Sequence, residues 1–501
     1  MSKDLNENAG GRSIAKGLFW KAAENIGDQL ITFLVSVILA RMLGPEKYGT
    51  LSLMLVFIAV ANVIIQSGFQ TALIQKINVT GRDLSSVFWI GLGISALLYG
   101  LLYAGAPFTA GFFGDPEIGP MLRVLALILF FGAVISVETA IVARQMNFRA
   151  QFMATVAADI ISGAVGIVLA FRGYGTWALV FQQLIKNLVQ MLLLLFFVGW
   201  HPSLCLDMAG IGELFSYGWK VLVSGLIDTL YNNIYTPVIS KLYSPLTVGY
   251  YNRGNQFPQI IANSIGQTMQ SVMLPAFSRS QQDKTELRDM LRSTIKLSCF
   301  IMFPMMAGLA AVAEPLIGLL LGEAWLPAAP ILSLCCLSYA AWPMHVSNIQ
   351  AINAQGRSDI YLKLEIIKKI LGIAVLVLSA PFGITVMIAM KGISDLFCTF
   401  INGAPNRSLL DYGPLRQWRD VSGSFMLAAA MGILVYILGS ILGGMGSILG
   451  LTGVLKELTS LALEILFGAA FYIGAAGLLR SESLSLLIRT VRSRASAGQE
   501  K

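Results

Sequence analysis

Lys21, Glu24 and Asp28 stand at i, i+3 and i+7 in the first apolar run of the chain, on one face of a helix that Gln29 and Thr32 extend. A run two hundred residues later repeats the pattern with Lys220, Ser224, Asp228 and Asn232 at strict four-residue spacing. Arg253, within Tyr250-Tyr251-Asn252-Arg253, occupies a third run with only Lys241 as a nearby charge and no acid within one helical turn. An intramembrane guanidinium needs an anion, and its planar fork matches phosphate oxygens. Carboxylates buried beside ammonium groups can carry protons, which makes Glu24, Asp28, Asp228 and Asp159 candidate ion-coupling groups. Lys186 and Lys391 are further cations inside apolar runs. The competing reading is structural. Lys21 and Lys220 then snorkel to headgroups, Asp28 and Asp228 find partners within their own lobe, and Lys391 with Asp395, or Glu365 with Lys369, neutralise each other four residues apart.

Long apolar helices must position these charges. The 501 residues are 56% hydrophobic and 12% charged, with a mean hydropathy of +0.71, too little charge to solvate a soluble protein of this size. About 20 apolar residues cross the ~30 Å hydrocarbon core as a helix. A charge at the centre of such a span costs roughly 2.5–3.5 kcal/mol on insertion scales, so charges kept there face an internal cavity. The runs between Gly, Pro and charge punctuation predict an all-α polytopic membrane protein of about fourteen transmembrane helices. Six fall near 19–43, 48–74, 86–113, 118–143, 152–171 and 174–198. Six more fall near 214–239, 248–274, 295–321, 327–352, 360–378 and 384–401, and a final pair near 421–442 and 458–479.

The two blocks of six read as copies of one unit. Trp20-Lys21 corresponds to Trp219-Lys220, Asp28 to Asp228, Arg41 to Lys241, Pro45 to Pro245 and Gly49 to Gly249; further on, Asp159 and Gly166 correspond to Glu365 and Gly372. An even number of helices per copy makes them parallel repeats about an axis along the membrane normal, with the two polar stripes across that axis around a central hydrophilic cavity. The expected organisation is an N-terminal lobe over 1–200, a cytoplasmic linker over 201–213, a C-terminal lobe over 214–406, and a helix pair with a basic tail over 407–501. Basic residues set the orientation. With the N-terminus inside, the cytoplasmic Lys and Arg, from Lys3, Lys76 and Arg144 to Arg489, Arg492, Arg494 and Lys501, exceed the outer set of Arg41, Lys47, Arg123, Arg172, Lys241 and Lys456 more than threefold. Both termini are therefore expected in the cytoplasm. The first span ends at Arg41 without a small-residue cleavage pattern and is expected to be a retained helix, not a signal peptide. Small residues such as Gly91, Gly93, Gly163 and Gly166 are expected at close helix contacts.

Several function classes are disfavoured. The net charge of +8 follows from topology, since Lys and Arg sit at the ends of apolar runs and form no aromatic-interleaved face for nucleic acid. Five cysteines and two histidines show no ligand spacing, so no metal, disulfide or other cofactor is expected. No nucleophile elbow or phosphate-binding glycine loop appears, and short loops leave no room for a catalytic domain.

The segments Ile38-Leu-Ala-Arg-Met-Leu-Gly-Pro-Glu-Lys-Tyr-Gly49, Gln66-Ser-Gly-Phe-Gln-Thr-Ala-Leu-Ile-Gln75, Val87-Phe-Trp89, Arg144-Gln-Met-Asn-Phe-Arg149, Gly173-Tyr-Gly-Thr-Trp-Ala-Leu179, Gly249-Tyr-Tyr-Asn-Arg253 and Leu274-Pro-Ala-Phe277 occur in order along nearly the whole chain. Together they resemble the Wzx-type polysaccharide flippases, specifically the WzxC-like branch of the multidrug/oligosaccharidyl-lipid/polysaccharide exporter superfamily. The resemblance implies a bacterial inner-membrane protein that moves an undecaprenyl-pyrophosphate-linked oligosaccharide from the cytoplasmic to the periplasmic leaflet, in company with a polysaccharide polymerase and a chain-length regulator. On that footing Arg253, with Lys21 and Lys220, would hold phosphate. Asp28, Asp228 and Asn232 would meet sugar hydroxyls or protons, and Trp20, Tyr231 and Tyr235 would stack on sugar rings. Related lipid-carrier flippases place arginines near the start of the first helix and in the eighth. Arg253 matches the latter position, whereas the first helix here offers Lys21 with Glu24 and Asp28.

Three rivals remain. A multidrug or cation antiporter of the same superfamily needs an anionic cavity, against which Arg253 argues. A peptidoglycan-precursor flippase differs only in its cargo. A membrane glycan polymerase or ligase needs a sizeable periplasmic loop with basic and His chemistry, which this chain lacks.

Overall fold

The apolar stretch Phe19–Gln75 holds 57 residues and would run about 85 Å as one straight helix, nearly three hydrocarbon cores. A bend removes the conflict. In the computed structural model, which describes residues 11–76, 79–445 and 453–488, helix α1 (Gly11–Gln75) is kinked at Gly44, where φ is 75° and ψ 174°. Glycine takes that conformation without strain, and Pro45, which has no N–H to donate, opens the second arm. The two arms correspond to the first two expected spans.

The chain continues through α2 (Gly81–Phe113), α3 (Ile118–Leu125), α4 (Ile128–Gln145), α5 (Phe148–Phe171), α6 (Thr176–Val198), α7 (Met208–Asn233) and α8 (Tyr235–Leu242). It then forms α9 (Pro245–Arg279), α10 (Lys284–Ala311), α11 (Ala313–Leu321), α12 (Ala328–Ala340), α13 (Trp342–Ala354), α14 (Ser358–Ser379), α15 (Ile384–Leu410), α16 (Pro414–Met445) and α17 (Gly453–Leu478). The protein is all-α, with no strand among the described residues. Among the described residues, ten helical stretches are long and apolar enough to cross a membrane. The helix order is compatible with the fourteen expected spans, although several are interrupted. The span expected at 327–352 breaks at Ala341, where Pro343 follows and cannot continue the preceding helix. Helix α7 starts at Met208, inside the segment read as linker. Lys3, Arg489, Arg492, Arg494 and Lys501, used above for orientation, lie outside the described residues.

The chain divides into two compact units, up to Gly249 and from Tyr250 onward. In the first, α1 packs against α4, α5 and α7. A Cβ on Gly163 would lie 2.5 Å from Val35 Cγ2, and one on Gly166 would lie 3.1 Å from Gln182 Cβ, so α5 approaches α1 and α6 through these glycines. Gly93 has nothing within 4 Å and serves no such contact. Two of the family-like segments are architectural. Arg144 donates to the carbonyls of Leu73, Ile74 and Lys76 at 3.0, 3.1 and 2.6 Å, capping the C-terminus of α1 where a cation is favoured. Beside Val87-Phe-Trp89, the Trp89 indole donates to the Ser203 carbonyl at 2.9 Å, and the amides of Ser203 and Asp207 donate to the hydroxyls of Ser85 and Ser86 at 3.0 and 2.8 Å. These bonds pin the linker onto the first turns of α2.

In the second unit α10 packs on α12 and α16, and α12 on α15. Asn348, Asn406 and Gln417 are fully buried there. Their amides satisfy one another: Asn348 Nδ2 donates to Gln417 Oε1 at 2.8 Å, and Gln417 Nε2 and Asn406 Nδ2 donate to Asn348 Oδ1 at 2.8 and 2.7 Å. The network ties α13, α15 and α16, and within it Asn406 Oδ1 alone has no hydrogen-bond partner among the described residues.

Gly163→Val should drive a side chain into Val35 and lower stability by about 1–3 kcal/mol, read as a lower melting temperature in detergent. Gly93→Ala, at an open position, should melt as the parent does; equal melting of both variants would refute the packing role of Gly163.

Candidate functional site

In the first unit the polar face of α1 divides its attention. Lys21 pairs with Glu24 at 2.7 Å, within the same helix. Asp28, one turn further, turns to α6 instead. Lys186 Nζ donates to Asp28 Oδ1 at 3.0 Å and to Thr32 Oγ1 at 3.4 Å, and lies 2.6 Å from Asp159 Oδ1 on α5. The Asp159 side chain is 2% exposed, and its Oδ2 has no hydrogen-bond partner among the described residues. Three charged groups from α1, α5 and α6 thus form one cluster with one more acid than base. Protonating either carboxylate would release part of the hold on Lys186, which is the chemistry an ion-coupling site requires. Spacing along one helix did not reveal this cluster, because its members are up to 158 residues apart.

Trp20 packs against Phe152 at 5.3 Å between ring centroids, with the Arg149 guanidinium 5.8 Å from its ring. On α7 the side chains of Lys220, Ser224, Asp228 and Asn232 are exposed along one face, as their spacing predicts, while Tyr235 is buried. Glu138 on α4 is fully buried with neither carboxylate oxygen hydrogen-bonded among the described residues.

In the second unit Arg253 is 8% exposed on α9. Its Nη1 donates to Gln256 Oε1 at 2.6 Å, and its guanidinium stands 6.0 Å from the ring centre of Trp325. The expectation of a guanidinium without a local partner is therefore corrected: a neutral amide three residues on supplies the acceptor. Next to it, Tyr250 donates to the Ala324 carbonyl at 3.2 Å and meets Trp325 edge-on at 6.3 Å. The Tyr250-to-Arg253 segment thereby clasps the turn Glu323–Trp325. Lys391 is held by Asp395 at 2.9 Å and faces Tyr339 at 5.8 Å, and Glu365 is held by Lys368 at 2.5 Å. Sequence reasoning passed over Asp420, which takes Arg292 through both oxygens at 2.7 and 2.9 Å and Tyr412 at 2.9 Å. It also passed over a cavity of about 530 Å³ lined by Glu314, Glu323, Tyr436, Lys456 and Glu464. No cluster of three His, Cys, Asp or Glu side chains suited to a metal occurs among the described residues.

A family described as Polysaccharide biosynthesis protein matches residues 38–330, more than half of the chain. The chain belongs to that family. Among its curated relatives, the teichuronic acid biosynthesis protein TuaB of Bacillus subtilis is 24% identical over 85% of this chain and 89% of its own length. The lipopolysaccharide biosynthesis protein WzxC of Escherichia coli is 22% identical over 85% and 88%. Among solved structures, the Lipid II flippase MurJ in an inward closed conformation superposes with a TM-score of 0.71 at 13% identity, covering 92% of this chain and 99% of its own. An inward-facing multidrug resistance MATE transporter gives 0.57 at 13% identity, over 76% and 94%. At such identities the structures establish a shared fold, and the match over residues 38–330 carries the family. Family membership agrees with the resemblance drawn from the sequence segments.

Lys186→Met would strand Asp159 beside Asp28 without a counter-ion, at a cost of about 3–5 kcal/mol. The expected result is a lower melting temperature and poorer folded yield, with much of the loss recovered in Lys186→Met combined with Asp159→Asn. Additive losses in the double variant would show that the two side chains are not coupled.

Proposed function

We propose that the protein is a flippase for a lipid-linked oligosaccharide. It carries a repeat unit on undecaprenyl pyrophosphate from the cytoplasmic to the periplasmic leaflet of a bacterial inner membrane, for assembly into exopolysaccharide or lipopolysaccharide. The observation that carries the reading is membership of the polysaccharide biosynthesis family, with relatives matching over 85% of the chain. Physical chemistry agrees: a pyrophosphate and its sugars cannot cross hydrocarbon unaided, while the polyprenyl tail stays in lipid.

In this proposal the repeats 1–200 and 214–406, joined by 201–213 and followed by the pair 407–501, work by alternating access with both termini in the cytoplasm. Arg253 holds pyrophosphate after exchanging its bond to Gln256 for phosphate oxygens, with Lys21 and Lys220 as further cations. Asn232 and Trp20 meet the sugars. Asp28 and Asp159 couple movement to protons through Lys186, with Glu24 and Asp228 as additional acids, and Lys391 serves the second repeat. A polymerase and chain-length regulator take up the product. The half-buried Lys186 bridge between two acids supports the coupling role, since a proton on either acid changes the charge of the whole cluster.

Deletion of the gene should abolish secreted polysaccharide and leave lipid-linked repeat units on the cytoplasmic leaflet; unchanged polysaccharide would overturn the proposal. In the deletion strain, Arg253→Lys should restore part of the export, because charge survives without the fork, and Arg253→Ala should restore none at normal protein level. Normal export through a well-expressed Arg253→Ala protein would remove Arg253 from the site.

A further inference from the structure

Two turns of the first compact unit meet backbone to backbone. In one, α1 bends at Gly44 and restarts at Pro45; in the other, α9 starts at Pro245, shortly after α8 ends at Leu242. Gly49 and Gly249 each lie one helical turn beyond the proline. Neither has a positive φ, so conformation places no demand for glycine there. Space does. A Cβ built on Gly49 would lie 1.7 Å from the Pro245 carbonyl oxygen, and one on Gly249 would lie 2.0 Å from the Pro45 carbonyl oxygen, far inside the 3.0 Å that real Cβ atoms respect. Each glycine therefore faces the carbonyl of the other turn's proline with a Cα–H, a reciprocal contact of the kind that small residues permit between helices in lipid. The flanking Tyr48, Thr50 and Val248 are buried, and the Tyr48 hydroxyl donates to the Ser36 carbonyl at 3.1 Å.

We infer that these turns form a latch. They join equivalent positions of the two sequence repeats, so one symmetric contact closes the helix ends on the outer side of the proposed orientation, and that side opens only when both glycines leave the opposing carbonyls. A contact made of backbone suits this use. It seals because no side chain intervenes between glycine and carbonyl, and a Cα–H against a carbonyl is weaker than an ion pair or an N–H···O bond. Any side chain at position 49 or 249 holds it apart. The need for this side to open rests on the flippase reading, whereas the contact itself rests on the two glycines.

The test uses full-length protein without native cysteines, carrying Glu46→Cys and Leu246→Cys at two exposed positions of the turns. Spin-labelled protein in liposomes is measured by pulsed electron paramagnetic resonance, in acid and neutral buffer, with and without undecaprenyl pyrophosphate. Two distance populations are expected, the shorter matching the closed turns. Gly49→Ala with Gly249→Ala should lower the ratio of short to long population by more than about tenfold, while Gly93→Ala should leave it unchanged. One unshifted distance under every condition overturns the latch. If the double-alanine protein does not fold, the parent decides alone: two populations support the latch and one overturns it. Flipping by the same samples separates the two claims. Distances that respond to the alanines without movement of lipid-linked oligosaccharide sink the flippase reading and keep the latch. Parental flipping by the double-alanine protein with unshifted distances does the reverse.

Discussion

A charge inside hydrocarbon must find its partner within the protein, and that constraint organises both compact units. Lys186 answers it with two carboxylates from two other helices, Lys391 with Asp395, Glu365 with Lys368, and Lys21 with Glu24. Arg253 answers it with an amide and an aromatic face. These solutions differ in how readily they are undone. A pair made within one helix is local and holds in any arrangement of the helices, whereas the Lys186 cluster exists only while α1, α5 and α6 keep their packing. Gly163 and Gly166, which let α5 approach α1 and α6, are therefore as much part of that cluster's geometry as its charges are.

Most of the helices were legible because bilayer thickness sets a length scale that apolar runs report directly. Interruptions were not legible where no proline marks them, as at the joint of α3 and α4. The four-residue period on α7 places Lys220, Ser224, Asp228 and Asn232 on one face, and all four are exposed. The stripe on α1 was read as one face, yet Asp28 faces α6 and Glu24 keeps Lys21, because partner choice is decided by helices far away in sequence. Arg253 was misjudged for a different reason: only acids were counted as partners, and Gln256 stood three residues away in plain view. The same oversight hid Asn348, Asn406 and Gln417, buried amides that bond to one another across three helices. Arg144 and Trp89 stood out within family-like segments, and the structure gives them the work of capping a helix and pinning the linker.

The proposed cargo would bring an electrical drive of its own. Pyrophosphate carries a charge of about −2, and moving it outward through an inside-negative membrane is favourable by roughly 4–5 kcal/mol per 100 mV if it crosses the whole field. In the proposed mechanism the Asp28–Lys186–Asp159 cluster would supply a second drive, since a proton taken up on one side and lost on the other would reset the charge around Lys186. A divalent cation bound to the cargo would neutralise it and remove that electrical bias.

The most direct measurement is the flipping of an undecaprenyl-pyrophosphate-linked oligosaccharide in proteoliposomes, with the membrane potential and the pH gradient imposed separately. The account predicts movement above protein-free vesicles under at least one of the two gradients, with any dependence on the pH gradient lost in Asp28→Asn or Asp159→Asn protein. No movement above protein-free vesicles under either gradient, from folded protein, would contradict it.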